Sequence, residues 1–471
     1  MSLLVSGATI VDGVGDRPIQ GHSIWIENGR IKAIGQHGDL NVPTSVKVVD
    51  ARGKHVIPGL MDANVHLLGD IRLENLVRYE HRYEELIAEA AQVALKNGLT
   101  TVFDTWGPRK PLISVRERIN SGSLCGSRIF CAGNIIGLDG PFSPDFYLKT
   151  LEVASGDLVQ CINSFWVENV GPDLTWMTPE QVVHEVRAYI NSGVDFIKYA
   201  SSDHRGAESG TSLLFSPLVQ ARLVEEAHRA GITAQAHTTS VESLRMAIEA
   251  GCDLIQHCNI TGPVPIPDTT LKLLVQRKTG AVVFPFTQRR MNMIMKNGRA
   301  AERRHFSTVD TNCRNLIDSG AALLLATDGA IYATELATDP ATQNSWFTAG
   351  EDNLAELGQG HFHWFKGMEE KGFSAMESLR AATRNIAIAY EKDNELGTIE
   401  SGKIADLLIL NKNPLEAAEN YRSIHMVIKD GAIVDREALP TDPILTKPAT
   451  FLNEKSAPYG RYAVSRYPSC C

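Results

Sequence analysis

Residues 229–257 read RAGITAQAHTTSVESLRMAIEAGCDLIQH, and the fold is decided by this stretch. It holds two copies of one unit. Arg229-Ala230-Gly231 leads through an apolar run to His237, and Glu249-Ala250-Gly251 leads through a second apolar run to His257. The segment VESLRMAI between them spaces its apolar residues three and four apart, the pattern of an amphipathic helix. A glycine just past a helix takes the left-handed conformation that closes the last turn. The run after each glycine has strand length, and its near-continuous apolar character predicts a strand buried on both faces.

The same unit recurs outward in both directions. Lys96-Asn97-Gly98 precedes a strand ending at Asp104, Asn191-Ser192-Gly193 one ending at Lys198, and Asp318-Ser319-Gly320 one ending at Asp328. Helix starts agree: Thr178-Pro179-Glu180-Gln181 is a capping box with proline at the first helical position, and Ser216-Pro217 opens the next helix in the same way. Candidate strands lie near 55–62, 100–105, 127–133, 195–200, 233–237, 254–258, 281–286 and 322–329. Alternating strands and helices imply a parallel sheet. Eight units favour a closed α/β fold, a (β/α)8 TIM-like barrel, over an open sheet.

The ends read differently. Residues 1–57 and 399–436 show short strands, and each end carries a hairpin signal, Asn28-Gly29 and Asp430-Gly431. These predict one small β-sandwich built from both termini, flanking a barrel over 58–398. Residues 437–471 are punctuated by prolines and are expected to form a tail wrapped over a neighbouring subunit of a homo-oligomer.

Composition narrows the function. A net charge of −9 without a basic stripe argues against a nucleic-acid surface. No run of about 18 apolar residues exists to span a membrane, and the opening residues lack the basic-then-apolar pattern of a leader. The eight cysteines form no C-x-x-C pair, which argues against a thiolate metal site or a disulfide framework. A cytoplasmic protein with reduced thiols and a small-molecule substrate is expected.

In such barrels the carboxyl ends of the strands face the active site. Asn64 and His66 follow the first strand, Lys198 the fourth, His237 the fifth, His257 the sixth and Asp328 the eighth. A strand-end histidine alone is more often a hydrogen-bonded structural residue, and Asp328 before Gly329 alone reads equally as a turn. Their joint occurrence at successive strand ends points to a divalent metal, with imidazole and carboxylate suiting zinc, cobalt or manganese. In an extended segment Asn64 and His66 point the same way. A lysine among them, with its pKa lowered by burial and positive neighbours, can take up carbon dioxide as a carbamate that bridges two metals.

These residues carry a family resemblance. Pro58-Gly59-Leu60-Met61-Asp62-Ala63-Asn64-Val65-His66 resembles the PGxxDxHxH signature of the amidohydrolase superfamily. Phe196-Ile197-Lys198, Ala236-His237, Gln256-His257 and Ala326-Thr327-Asp328 resemble its remaining ligand strands, and Gly397–Leu410 resembles its return into the sandwich. The branch most resembled is that of imidazolonepropionase and prolidase. Asn64 replaces the usual first histidine, and Asn-x-His is similar to the subgroup of phenylurea and molinate (thiocarbamate) hydrolases. The resemblance implies one metal among Asn64, His66, carboxylated Lys198 and Asp328, and a second among the carbamate, His237 and His257. Asn64 is either a ligand or a hydrogen-bonding partner of one. Asp328 would move the proton of the attacking water, and His257 or the second metal would polarise the carbonyl.

The substrate pocket is expected from loops after the strands, with Trp106, Phe142, Tyr199, His204, Phe286 and Tyr332 as candidates. His361 and His363 form a further H-x-H pair, but they lie past the last strand. Cleavage of a phenylurea such as diuron or linuron is the leading expectation. Thiocarbamate hydrolysis, an aromatic or prolyl dipeptidase, and a non-catalytic scaffold on the same fold are the alternatives.

Overall fold

The computed structural model describes residues 2–69, 73–146, 154–204, 210–332 and 352–447. The chain opens with five strands: β1 (Ser2–Ile10), β2 (Ile19–Glu27), β3 (Arg30–Gln36), β4 (Lys47–Asp50) and β5 (His55–Pro58). Nine parallel strands follow: β6 (Leu60–Val65), β7 (Leu99–Asp104), β8 (Arg128–Cys131), β9 (Ile135–Ile136), β10 (Phe196–Ala200), β11 (Thr233–His237), β12 (Leu254–Gln256), β13 (Gly280–Val283) and β14 (Leu323–Leu325). The chain then returns through β15 (Leu407–Leu410), β16 (Ile424–Lys429) and β17 (Ala432–Ile433).

Both termini meet in one eight-stranded sheet of order β17-β16-β15-β5-β1-β2-β3, with β4 on β1. Its inward residues, among them Val5, Ile10, Ile24, Val56, Leu407 and Ile428, form a core of their own. The two hairpin signals form as expected. Asn28 and Gly29 have φ of 51° and 81°, and Asp430 and Gly431 have 50° and 73°. Positive φ at both central residues is what a twisted two-residue hairpin requires.

The barrel runs β6-β7-β8 and then β9 through β14. A parallel bridge from Val65 to Gly329 brings its two ends together. The five glycines expected to close helices, Gly98, Gly193, Gly231, Gly251 and Gly320, all have positive φ. Thr178 and Gln181 form the expected capping box, and Ser216 caps the helix Pro217–Arg229.

Several strands depart from the periodicity, the sixth and eighth ending early at Gln256 and Leu325. The expected strand 55–62 is two strands, because the chain passes from one sheet to the other at Gly59. A Cβ there would lie 2.2 Å from Thr100 Oγ1, so only glycine allows the approach. The third strand breaks at Gly133, whose φ of 73° ends β8, and β9 resumes two residues later against β10. The seventh ends at Val283 rather than 286.

The tail also departs from expectation through residue 447. Arg436 Nε donates to Lys96 O (2.7 Å), and Thr441 N to Gln92 Oε1 (2.9 Å). The Glu89 carboxylate accepts from the amides of Ile444, Leu445 and Thr446. This segment therefore lies along the helix Tyr83–Lys96 of its own chain, because that helix offers a buried carboxylate to three backbone donors. The rest of the tail lies outside the described residues. Among them, no helix is long and apolar enough to cross a membrane.

Candidate active site

Asn64 sits at the end of β6 and His66 just beyond it, both buried. Asp328 lies in the turn after β14 with φ of 55°. Asn64 Nδ2 donates to Asp328 Oδ1 at 2.9 Å, and His66 Nε2 lies 2.9 Å from the same oxygen. The turn is held from below by Asp62, whose carboxylate accepts from Thr327 Oγ1 (2.6 Å), Thr327 N and Asn64 N (3.1 Å each). Burial pushes the Asp62 carboxyl up to about 7 against those bonds. Burial would raise Asp328 as well. The charge and hydrogen bond of His66, with His257 and Lys198 nearby, outweigh it and hold that carboxyl well below the usual carboxylate range.

Lys198 points into the barrel from β10, 1% exposed, and its Nζ donates to Thr105 Oγ1 at 3.1 Å. Thr105 in turn donates to Asn64 Oδ1. His237 ends β11, and its ring centroid lies 4.7 Å from that of His257, which follows β12 with φ of 47°. Burial pushes His257 down to about 3, and burial with the neighbouring His257, His204 and Lys198 pushes His237 well below the usual histidine range. Both imidazoles are therefore neutral lone-pair donors at physiological pH.

Two observations bear on a metal. Nδ1 of His257 is buried without a hydrogen-bond partner, a costly condition that a cation relieves. His66 Nδ1 faces Trp106 O, a pure acceptor, at 3.2 Å. It must donate there, which leaves Nε2 facing Asp328 as the nitrogen that could hold a proton or a metal, and a bond such as that from Nδ1 is the outer bond usual for a metal-binding histidine. Nε2 and the Asp328 carboxylate then face each other as two acceptors, and a cation, proton or metal, has to lie between them. The donors fit a divalent metal on these grounds. Among the described residues no three His, Cys, Asp or Glu side chains are gathered around one point. His66 and Asp328 bond to each other, and the remaining member is a lysine.

The pocket candidates divide. Trp106 packs edge-on to His66 (5.7 Å) and stacks on Phe146 (4.1 Å), and Phe146 meets His204 (4.8 Å), whose ring lies 5.0 Å from His237. These rings form one wall beside the cluster. His204 Nδ1 donates to Asp145 O (3.1 Å), and burial pushes this ring down to about 4. Phe142, Phe286 and Tyr332 lie in loops past β9, β13 and β14. Phe142 is buried, Phe286 packs edge-on to Phe306, and the Tyr332 hydroxyl bonds Ala355 O. Tyr199 is not brought to the site. Neighbouring residues on a strand face opposite ways, so with Lys198 inward Tyr199 points outward, where its hydroxyl bonds Gln220 and Cys252. The H-x-H pair also separates, His361 bonding Asn97 O and His363 facing Asp352.

Sequence reasoning missed the roles of Asp62 and Thr105. Asp62 stood in the quoted signature without an assigned task. Thr105 had no mark beyond following the strand-end Asp104.

The amidohydrolase family model matches residues 55–434. Imidazolonepropionase of Geobacillus sp. (strain WCH70) is 24% identical over 436 residues, covering 88% of this chain and 90% of that protein. The crystal structure of phenylurea hydrolase B is similar with a TM-score of 0.89 at 36% identity, covering 95% of this chain and 100% of that one. The structure of molinate hydrolase gives a TM-score of 0.87 at 34% identity, covering 95% and 97%.

Proposed function

The chain belongs to the amidohydrolase family, as a hydrolase of carbon–nitrogen bonds, and from that premise we propose that it cleaves the urea bond of a phenylurea such as diuron or linuron. The likeness to phenylurea hydrolase B along nearly the whole chain carries this reading. The wall of Trp106, Phe146 and His204 supports it, because a flat aryl group packs well on such rings.

His66, Asp328 and a carboxylated Lys198 would hold one divalent ion, zinc or in its place cobalt or manganese. The carbamate, His237 and His257 would hold a second. Asn64, bonded to Asp328, serves as an orienting partner rather than a ligand. When bound, such a metal brings the pKa of water from about 15.7 to about 7. Asp328 takes the proton of the attacking water and returns it to the leaving anilide nitrogen, so that an aniline and a carbamic acid result. His257, or the ion it helps to hold, would polarise the carbonyl and steady the charge that develops on its oxygen. The aromatic wall orients the aryl group. A cytoplasmic location and a homo-oligomeric state belong to the same proposal.

Molinate hydrolase, 34% identical, favours a second reading in which a thiocarbamate is the substrate. Protein loaded with zinc, cobalt or manganese and assayed on phenylureas, thiocarbamates and dipeptides separates the readings. Aniline release is the expected result. Turnover of thiocarbamates alone moves the assignment to the second reading, and turnover of dipeptides alone overturns both.

A further inference from the structure

Four side chains from four strand ends form one directed chain of hydrogen bonds: Lys198, Thr105, Asn64 and Asp328. Every link has only one possible direction. An ionised carboxylate accepts and cannot donate, so the Asn64 amide must turn its nitrogen to Asp328. Its oxygen then faces Thr105, which has a single proton and must spend it there. The threonine oxygen is left as an acceptor, so Lys198 Nζ must bring an N–H to it. A carboxylated lysine keeps one N–H and satisfies this link as an ammonium does.

We propose that Thr105 is a positioning residue for the reaction. Its hydroxyl locks the Asn64 amide so that the nitrogen faces Asp328, and it ties that orientation to Lys198. Without the hydroxyl the buried Asn64 oxygen loses the partner that holds it, and the amide is tied at its nitrogen end by the Asp328 bond. An amide held at one end can swing, and the Asp328 carboxylate shifts with it. Thr105 is fully buried, and its own N–H bonds Val65 O (3.1 Å), so the backbone already holds it beside Asn64. The side chain serves the site. If it served only to fill space, valine would replace it without loss.

This inference rests on the proposed metal-assisted hydrolysis, so the unaltered protein is measured first for metal affinity and turnover. Absence of both removes the functional reading and this one with it. With both present, Thr105→Val is compared with Thr105→Ser. Removal of such a supporting bond typically costs about 10–100-fold in metal affinity or activity. Thr105→Val should lose that much in kcat with KM nearly unchanged, should bind zinc more weakly in chelator competition, and should retain the unaltered circular dichroism spectrum. Thr105→Ser, which keeps the hydroxyl, should recover most of the kcat and the affinity. If Thr105→Val does not fold, Thr105→Ala replaces it, with the same expectation. Unaltered kcat and zinc affinity in the variant lacking the hydroxyl would overturn the proposal, as would failure of serine to rescue.

Discussion

Asp328 is the residue on which the chemistry converges. A buried carboxylate is costly unless donors surround it, and here His66 and Asn64 both meet Oδ1 at 2.9 Å while Lys198 lies nearby. The charge is thereby kept where the proposed reaction collects a proton. Asp328→Asn should lower turnover by about 10²–10⁴-fold, the range for loss of a general base. With metal in excess its metal content, read by atomic emission, should stay near that of the unaltered protein, because the asparagine oxygen can still face the ion. Normal turnover would remove Asp328 as the base. Lys198→Ala should reduce bound metal, and an unchanged metal content would refute the carbamate bridge. That lysine was legible in the sequence because it ended a strand. Its link to Thr105 was not, because the two are 93 positions apart and a threonine after a strand carries no signal.

At the scale of elements, the repeated glycine-then-strand unit was readable because it is local physics: a left-handed helix end, then an apolar run. What periodicity could not locate is where one strand becomes two. Gly59 separates β5 from β6 because the Thr100 side chain occupies the space a Cβ would need. Gly133 splits the third strand because the Tyr189 hydroxyl lies 2.0 Å from the Cβ position. Both are decided by a side chain distant in sequence. Gly59→Ala should therefore destabilise the fold by about 1–3 kcal/mol, the usual cost of overpacking, read as a lowered midpoint in denaturant. An unaltered midpoint would show that Thr100 yields freely. His257 and Asp328 take positive φ just after β12 and β14, so the short strands release both side chains into turns rather than along the pleat.

The whole molecule joins the terminal sheet to the barrel through one buried and one half-exposed ion pair. Arg128, at the start of β8, bonds Asp406 and Asp430 of the returning chain. Its stability should depend on pH through buried histidines. Burial lowers His204 and His305 from 6.5 to about 4, and His257 and His361 to about 3. The unfolded chain takes up these protons below about 6.5 while the folded chain does not, so acid favours unfolding. Asp62 and Asp104, raised from 3.8 to about 7 by burial, act in the opposite sense, being most stabilising below 3.8 and losing that as pH rises through 7. Four histidines outweigh two aspartates, so the metal-free protein should show a falling Tm from pH 6.5 to 5, and a flat or rising Tm would contradict the burial of these rings. The sequence alone determined the alternation of strands and helices, the two hairpins, and the ligand-type residues at strand ends, because each depends on neighbours within a few positions. Only the tertiary structure decided the orientation of the Asn64 amide, the outward turn of Tyr199, and the docking of the tail on its own helix, because each is set by contacts between segments far apart along the chain.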